Sequence, residues 1–406
     1  MLMNDGRKRV AAIVTEYRIR SHADNIVTRL LQGYALSGMP VPSRLEVASL
    51  YTDQVPDNDI SRDLAAAHGV PIFPTIKEAL TLGGDTLAVD GVVIVGEHGQ
   101  YGFNEKGQHL YPRREFFEQV VAVFRQSGRV VPFFSDKHLS YSWENAKWIY
   151  DTAQELSIPF MAGSSMPLAV RCPPLFVPEG ADVEEIVVVA QGGLESYGFH
   201  ALEIGQCLAE WRAGGEKGVA AVQCLTGQAF LDALRDAPHW SRALEQAALA
   251  TLEHASGSLA EHFAAHPASE AGEGRGGIFL VEYGDGLRLT VMMLSGYVLQ
   301  WAAAVRLRGQ EKPLAAAFLQ PRSQPLTNFD SQADFIVRMV ESGRSLIPLE
   351  RTLLTTGALD ALMTSRHAGG RRVETPHLAV SYRPPSLPPF HVRSYVILGR
   401  ATQRLR

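Results

Sequence analysis

Through the first third of the chain, short apolar runs alternate with stretches that repeat apolar residues at helical spacing. The runs at 9–14, 45–51, 70–73, 89–95 and 130–134 are mostly Val, Ile, Leu and Phe, and each reads as a strand buried on both faces. Between them, 24–34, 61–68, 76–82 and 116–127 carry the helical period. Gly33, Gly69 and Gly83 stand at or near the ends of the first three, where a helix is commonly closed. A helix over 143–156 and a strand over 158–162 complete the series. Strand and helix in this alternation predict a Rossmann-like, doubly wound parallel sheet.

The pattern then changes. A strand is expected at 183–190, a helix at 200–211, and a helix followed by a flexible surface loop (267–277) in the Ala-, His- and Glu-rich stretch 231–277. The segments 279–283 and 287–294 flank Gly284-Asp285-Gly286 and predict a hairpin. Further strands are expected at 298–307 and 315–319, and helices at 334–342 and 349–367, ended by Gly343 and Gly369-Gly370. This half reads as an α+β domain with an open, mainly antiparallel sheet. Residues 384–389, PPSLPP, predict a stiff extended segment. The expected organisation is a Rossmann-like domain at 1–165, an α+β substrate and oligomerisation domain at 166–380, and a tail at 381–406.

Composition narrows the function classes. A formal net charge of -5, with no basic stripe, gives no electrostatic case for nucleic acid. No apolar stretch approaches the ~18 residues of a membrane span, and the opening MLMNDGRKRVAAIV is too short a run for a secretory signal. The cysteines Cys172, Cys207 and Cys224 are odd in number and form no CxxC pair, so neither a disulfide framework nor a zinc ribbon is indicated. Cytoplasm is the expected compartment.

In an open α/β sheet, ligands bind beyond the carboxyl ends of the strands. Here those ends are rich in ionisable residues: Glu16 and His22 after the first run, Asp53 after the second, Glu97-His98 after the fourth, and Asp136-Lys137-His138 after the fifth. The first turn, 14–22, has no glycine, although a dinucleotide pyrophosphate ordinarily approaches a glycine-lined backbone there. Arg18 and Arg20 offer an anion side-chain contacts instead, and Asp53 stands where an acid would hold a ribose. The long polar stretch 103–114 ends in Arg113 and Arg114, near enough to the next helix to meet an anion. Glu97, His98, Asp136, His138 and His22 converging on one crevice would suit a divalent metal such as manganese, zinc or iron. In the second half His200 and Glu203, three apart on a helix, pair a proton-transfer group with an orienting carboxylate.

Taken together, residues 9–376 resemble the Gfo/Idh/MocA oxidoreductases. The likeness is carried by Val89-Asp90-Gly91-Val92-Val93-Ile94, by Asp136-Lys137-His138 at that family's Glu-Lys-Pro signature, and by His200-x-x-Glu203 at its His-x-x-Asp pair. The closing stretch 365–374, SRHAGGRRVE, and His22 after the first turn match as well. The resemblance implies an NAD- or NADP-dependent dehydrogenase acting on a sugar, cyclitol or related polyol. Lys137 would polarise the substrate oxygen, His200 would move the proton with Glu203 beside it, and Asp53, Arg18 and Glu97 would contact the cofactor. It also implies a homo-oligomer formed through the open sheet. The departures lie on the cofactor side: Val14, Glu16 and Ile19 replace the turn glycines, and Gly96-Glu97-His98 replaces a Thr-Pro-Asn turn. They leave a second reading open, a nicotinamide-independent, metal-dependent lyase, isomerase or hydrolase.

Overall fold

The computed structural model describes residues 6–236, 239–266, 276–321 and 326–385. The chain divides into two compact units, and it returns to the first after building most of the second.

The first unit begins β1 (Lys8–Val14), α1 (His22–Gln32), a small hairpin of β2 (Tyr34–Leu36) and β3 (Met39–Val41), and β4 (Leu45–Thr52). It continues α2 (Ser61–His68), α3 (Ile76–Thr81), β5 (Gly91–Val95), α4 (Arg113–Ser127), β6 (Phe133–Asp136), α5 (Trp143–Glu155) and β7 (Phe160–Gly163). The five longer-range strands form one parallel sheet in the order β4-β1-β5-β6-β7. Every residue of β5 and β6 is buried, which is why β5 is apolar without alternation, while β6 ends in the buried polar pair Ser135-Asp136. The strand expected at 70–73 is reduced to one parallel bridge, Ile72 beside Leu50. Pro71, which has no N–H to donate, offers its carbonyl to Leu50 N at 3.0 Å, and Phe73 N donates back to Leu50 O at 2.9 Å. Counting that bridge, the strand order is the 3-2-1-4-5-6 of dinucleotide-binding sheets. The crevice of such a sheet lies where the order reverses, between β1 and β5.

The second unit contains β8 (Val170–Cys172), β9 (Val183–Ala190), α6 (Gly198–Ala209), β10 (Val219–Leu225), and the helices α7 (Gly227–Arg235), α8 (Arg242–Leu249) and α9 (Leu259–Ala265). Then come β11 (Gly276–Tyr283), β12 (Arg288–Leu294), β13 (Trp301–Leu307) and β14 (Leu314–Leu319). Next, α10 (Thr327–Ser342) packs with the first unit, while α11 (Leu349–His367) and β15 (Val373–Glu374) complete the second. Its sheet runs β15-β10-β11-β12-β9-β13-β14-β8, antiparallel except for β12 beside β9. The β11–β12 hairpin turns through Gly284-Asp285-Gly286 as expected.

The edges of this sheet are open, but neither face is bare. Val187, Val189, Met292 and Leu294 pack with Phe230, Leu234, Trp240, Leu244 and Phe263 of the α7–α9 segment. The alternate side of β12 meets α6, where Gly205 passes so close to Leu289 that a Cβ would lie 2.6 Å from it. The single helix expected from 231 is therefore three short ones laid across a sheet face. Most of the loop expected at 267–277 lies outside the described residues, but Gly276 and Gly277 already belong to β11. Of the expected tail, 386–406 lies outside them too. Among the described residues no helix is long and apolar enough to cross a membrane.

Candidate active site

In the first unit, the carboxyl ends of β5 and β6 and the start of α4 bring four charged or ionisable side chains into direct contact. Lys137 follows β6 with φ +63°, its N–H bonded to Gly163 O of β7. The left-handed backbone turns the side chain away from the strand direction, and its Nζ donates to Glu97 Oε1 at 2.5 Å. Glu97 Oε2 accepts from an Arg113 guanidinium nitrogen at 2.7 Å. A second nitrogen of that guanidinium lies 3.5 Å from His138 Nε2, and His138 Nδ1 is 2.8 Å from Ser140 O. A carbonyl accepts only, so Nδ1 carries the His138 proton and Nε2 can receive the Arg113 N–H. Gly96 makes this possible, because a Cβ there would stand 2.8 Å from Arg113 Cγ.

Glu97 and Lys137 are each 4% exposed and Arg113 is 2% exposed, so this is a buried triad. Burial alone would raise the Glu97 pKa, but the Lys137 and Arg113 charges outweigh it and hold the carboxyl well below the usual range. Burial pushes His138 well down, with Arg113 adding to the effect. Burial, with the nearby His22 adding to the effect, likewise lowers His98 to about 3.

Next to the triad, the buried Asp136 meets His22, the first residue of α1, at 2.6 Å between Oδ2 and Nδ1. The His22 ring stands edge-on to His98 at 5.6 Å and to Phe329 of α10 at 5.2 Å. Asp136 Oδ1 and His98 Nε2 are buried without a hydrogen-bond partner. Thus Glu97, His98, Asp136, Lys137, His138 and His22, all singled out from the sequence, do gather in one place.

The geometry does not support the metal expected there. Glu97 is committed to two cations, His138 to Ser140 and Arg113, and Asp136 to His22. Among the described residues no group of three or more His, Cys, Asp or Glu is placed to hold a metal ion.

The turn between β1 and α1 does not fit a dinucleotide pyrophosphate either. Four of its backbone donors are taken by the chain's own groups: Arg18 N and Asp24 N by Ser21 Oγ, Ser21 N by Arg18 O, and Arg20 N by Asp24 Oδ2. Two carboxylates, Glu16 and Asp24, stand where the phosphates would bring negative charge. Arg18 is paired with Glu16 at 3.1 Å. Asp53 sits at the end of β4 as expected, but its oxygens accept from Tyr51 and Tyr101 hydroxyls at 2.7 and 2.6 Å. Arg114, expected near an anion, pairs with Glu118 and Asn145.

Sequence reasoning missed the α10 contribution. Gln332 donates to Gly163 O at 3.3 Å and Asn328 to Ser165 Oγ at 2.8 Å, both at the end of β7. The available signal was the polar series Asn328, Asp330, Gln332 and Asp334 interleaved with the apolar residues Phe329, Ala333, Phe335 and Ile336, and the structure buries all four polar residues.

In the second unit His200 and Glu203 lie in the first half of α6, a helix buried on all sides. Glu203 Oε1 accepts from Thr355 of α11 at 2.6 Å, and the His200 ring is flanked by Tyr197 and, edge-on, by Trp301 at 5.9 Å. Just past the end of α6, Glu210 is held by Arg351 and Tyr382 in a buried polar network.

No protein-family model and no curated protein matches the chain. Solved structures match it in fold. GenD2 from gentamicin A biosynthesis, in complex with NAD, is 19% identical with a TM-score of 0.58, over 91% of this chain and 96% of its own. Apo scyllo-inositol dehydrogenase from Lactobacillus casei is 11% identical with a TM-score of 0.56, over 91% and 98%. Myo-inositol dehydrogenase from the same organism, in complex with NAD(H) and myo-inositol, is 12% identical with a TM-score of 0.54, over 95% and 99%. At these identities the likeness is one of fold, and it agrees with the fold that the motif resemblance implied.

Proposed function

We propose that this chain is a divergent enzyme on the Gfo/Idh/MocA scaffold. It transfers a proton at a carbon beside the carbonyl of a sugar, cyclitol or related polyol, in the manner of an isomerase, epimerase or lyase. The observation that carries this reading is the buried Lys137–Glu97–Arg113 triad at the carboxyl ends of the strands. Lys137 is the group that polarises the substrate oxygen, and Glu97 with Arg113 hold its ammonium in position. The formal charges of Glu97, Asp136, Lys137 and Arg113 cancel, which suits a neutral, hydroxyl-rich ligand better than a doubly charged pyrophosphate. His200 is a second proton carrier, with Glu203 as its orienting carboxylate.

A second reading, an NAD(P)-linked dehydrogenase, is favoured by the strand order of the first sheet and by structural neighbours solved with NAD. Bound NAD or NADP would supply the hydride acceptor. The occupied donors of the β1–α1 turn weigh against it. Titration with NADH and NADPH, followed by nucleotide fluorescence, separates the two. No binding, with turnover of a carbonyl sugar, is expected; tight binding with polyol oxidation would replace the first reading by the second. Lys137→Ala is expected to lower turnover by about 100-fold or more under either reading, and His200→Ala by a similar factor. Full activity in both variants would remove this assignment of residues.

A further inference from the structure

His22 and Asp136 are 114 residues apart and meet at 2.6 Å. Their partnership is built from two structural coincidences. Ser21 caps α1 and thereby makes His22 the first helical residue, and β6 delivers Asp136 as its last. Asp136 is 1% exposed, so its carboxylate is withdrawn from water and directed at the imidazole. A carboxylate accepts and cannot donate, which places the ring proton on Nδ1 and leaves a lone pair on Nε2. His98, edge-on to His22, stays neutral across the physiological range and so does not compete for the proton. Asp136 Oδ1 and His98 Nε2 are buried polar atoms without a partner beside this ring, which is the condition expected where a ligand's hydroxyl groups complete the hydrogen bonding.

We propose that His22 is a catalytic residue, the general base of this site, with Asp136 as the positioning residue that sets its tautomer. The proposal deepens the function given above and takes its substrate class, a neutral carbonyl-bearing sugar or cyclitol, from that reading. His22 Nε2 takes the proton from the carbon next to the carbonyl. The C–H electron pair becomes a carbon–carbon π bond, and the carbonyl π pair moves onto oxygen, where the Lys137 ammonium balances the charge. The hydroxyl proton on the first carbon's oxygen passes to the former carbonyl oxygen, and the imidazolium returns its proton to the former carbonyl carbon, so the carbonyl moves one carbon along and an aldose–ketose type isomer results. No oxidant is needed.

The test uses the full chain in D2O with a panel of ketoses and keto-cyclitols, and follows loss of the α-proton signal by proton NMR. Wild type is expected to exchange. His22→Gln is expected to lose about 100-fold or more of the rate with an unchanged circular dichroism spectrum. Asp136→Asn is expected to lose at least about tenfold, with Asp136→Glu recovering part of it, because the amide no longer enforces the tautomer. A folded His22→Gln protein exchanging at the wild-type rate overturns the proposal. So does a nitrogen-15 ring spectrum of wild type showing the proton on Nε2, a readout that needs no turnover and no variant. If wild type exchanges nothing but oxidises a polyol with NAD, the isomerase reading fails while the base is still decided, since His22→Gln must then abolish that oxidation. A wild type inactive in both assays overturns the base as well.

Discussion

At Glu97 two cations share one carboxylate, and nearly all of it is out of water. Removing the shared partner of a buried pair leaves charge uncompensated, so Glu97→Gln is expected to cost about 3–5 kcal/mol in urea unfolding. Its depressed pKa adds stability that is complete above the unfolded value of about 4.3 and is lost as pH falls below it. The two buried histidines act at higher pH with the same sign. His98 falls to about 3 and His138 lies well below its usual value, so each is neutral when folded and protonates readily only when unfolded. Their contribution is complete above about pH 6.5 and is lost as pH falls below it, for His98 down to about pH 3, each by at most about 1.4 kcal/mol per pH unit. Unfolding free energy measured from pH 7 to pH 4 should therefore decline, and His98→Asn should flatten the slope. At this scale the sequence named most members of the cluster, but not their pairing. Lys137 and Glu97 are forty residues apart, and no local signal says that Arg113 turns inward to Glu97 while Arg114 turns outward to Glu118.

At the level of elements, the turn after β5 depends on the absence of a side chain at Gly96. Gly96→Ala is expected to cost about 1–3 kcal/mol by crowding Arg113, which Glu97 prevents from moving aside. On the second unit, α7–α9 bury Phe230, Trp240 and Phe263 against the sheet. Phe230→Ala is expected to cost about 3–5 kcal/mol in thermal or chemical denaturation, and more if the segment detaches. Most helices and strands were legible because their period matched their burial. The exceptions have local causes. Strand 70–73 is cut to a bridge between Pro71 and Pro74. β10 was missed because VAAVQCL carries neither clean alternation nor a purely apolar run. The start of α9 was marked in the sequence, since Ser258 and Glu261 form a reciprocal capping box, but it was hidden within an Ala-rich stretch that reads as continuous helix.

At the scale of the whole molecule, the chain crosses into the second unit after Ser165 and comes back for α10. There Asp330 meets Arg29 at 2.6 Å and Asp334 meets the Tyr34 hydroxyl at 3.1 Å. A fragment of residues 1–165 is therefore expected to be markedly less stable in urea than the same fragment with 326–349 appended, because Arg29 would lose its carboxylate. The covered sheet faces also bear on assembly: a homo-oligomer, implied by the motif resemblance, would need a surface other than the one under α7–α9. The sequence by itself determined the fold class, a doubly wound parallel sheet followed by a mainly antiparallel one, and the gathering of ionisable residues at strand ends, because hydrophobic period and strand-end charge are local properties. Only the tertiary structure decided what those charges do. It gave Asp136 and His138, two candidate metal ligands, and Lys137, the candidate polarising group, three separate commitments: Lys137 to Glu97, His138 to Arg113, and Asp136 to His22. The reason is that hydrogen bonds between buried groups are chosen by proximity across the sheet, which spacing along the chain does not encode.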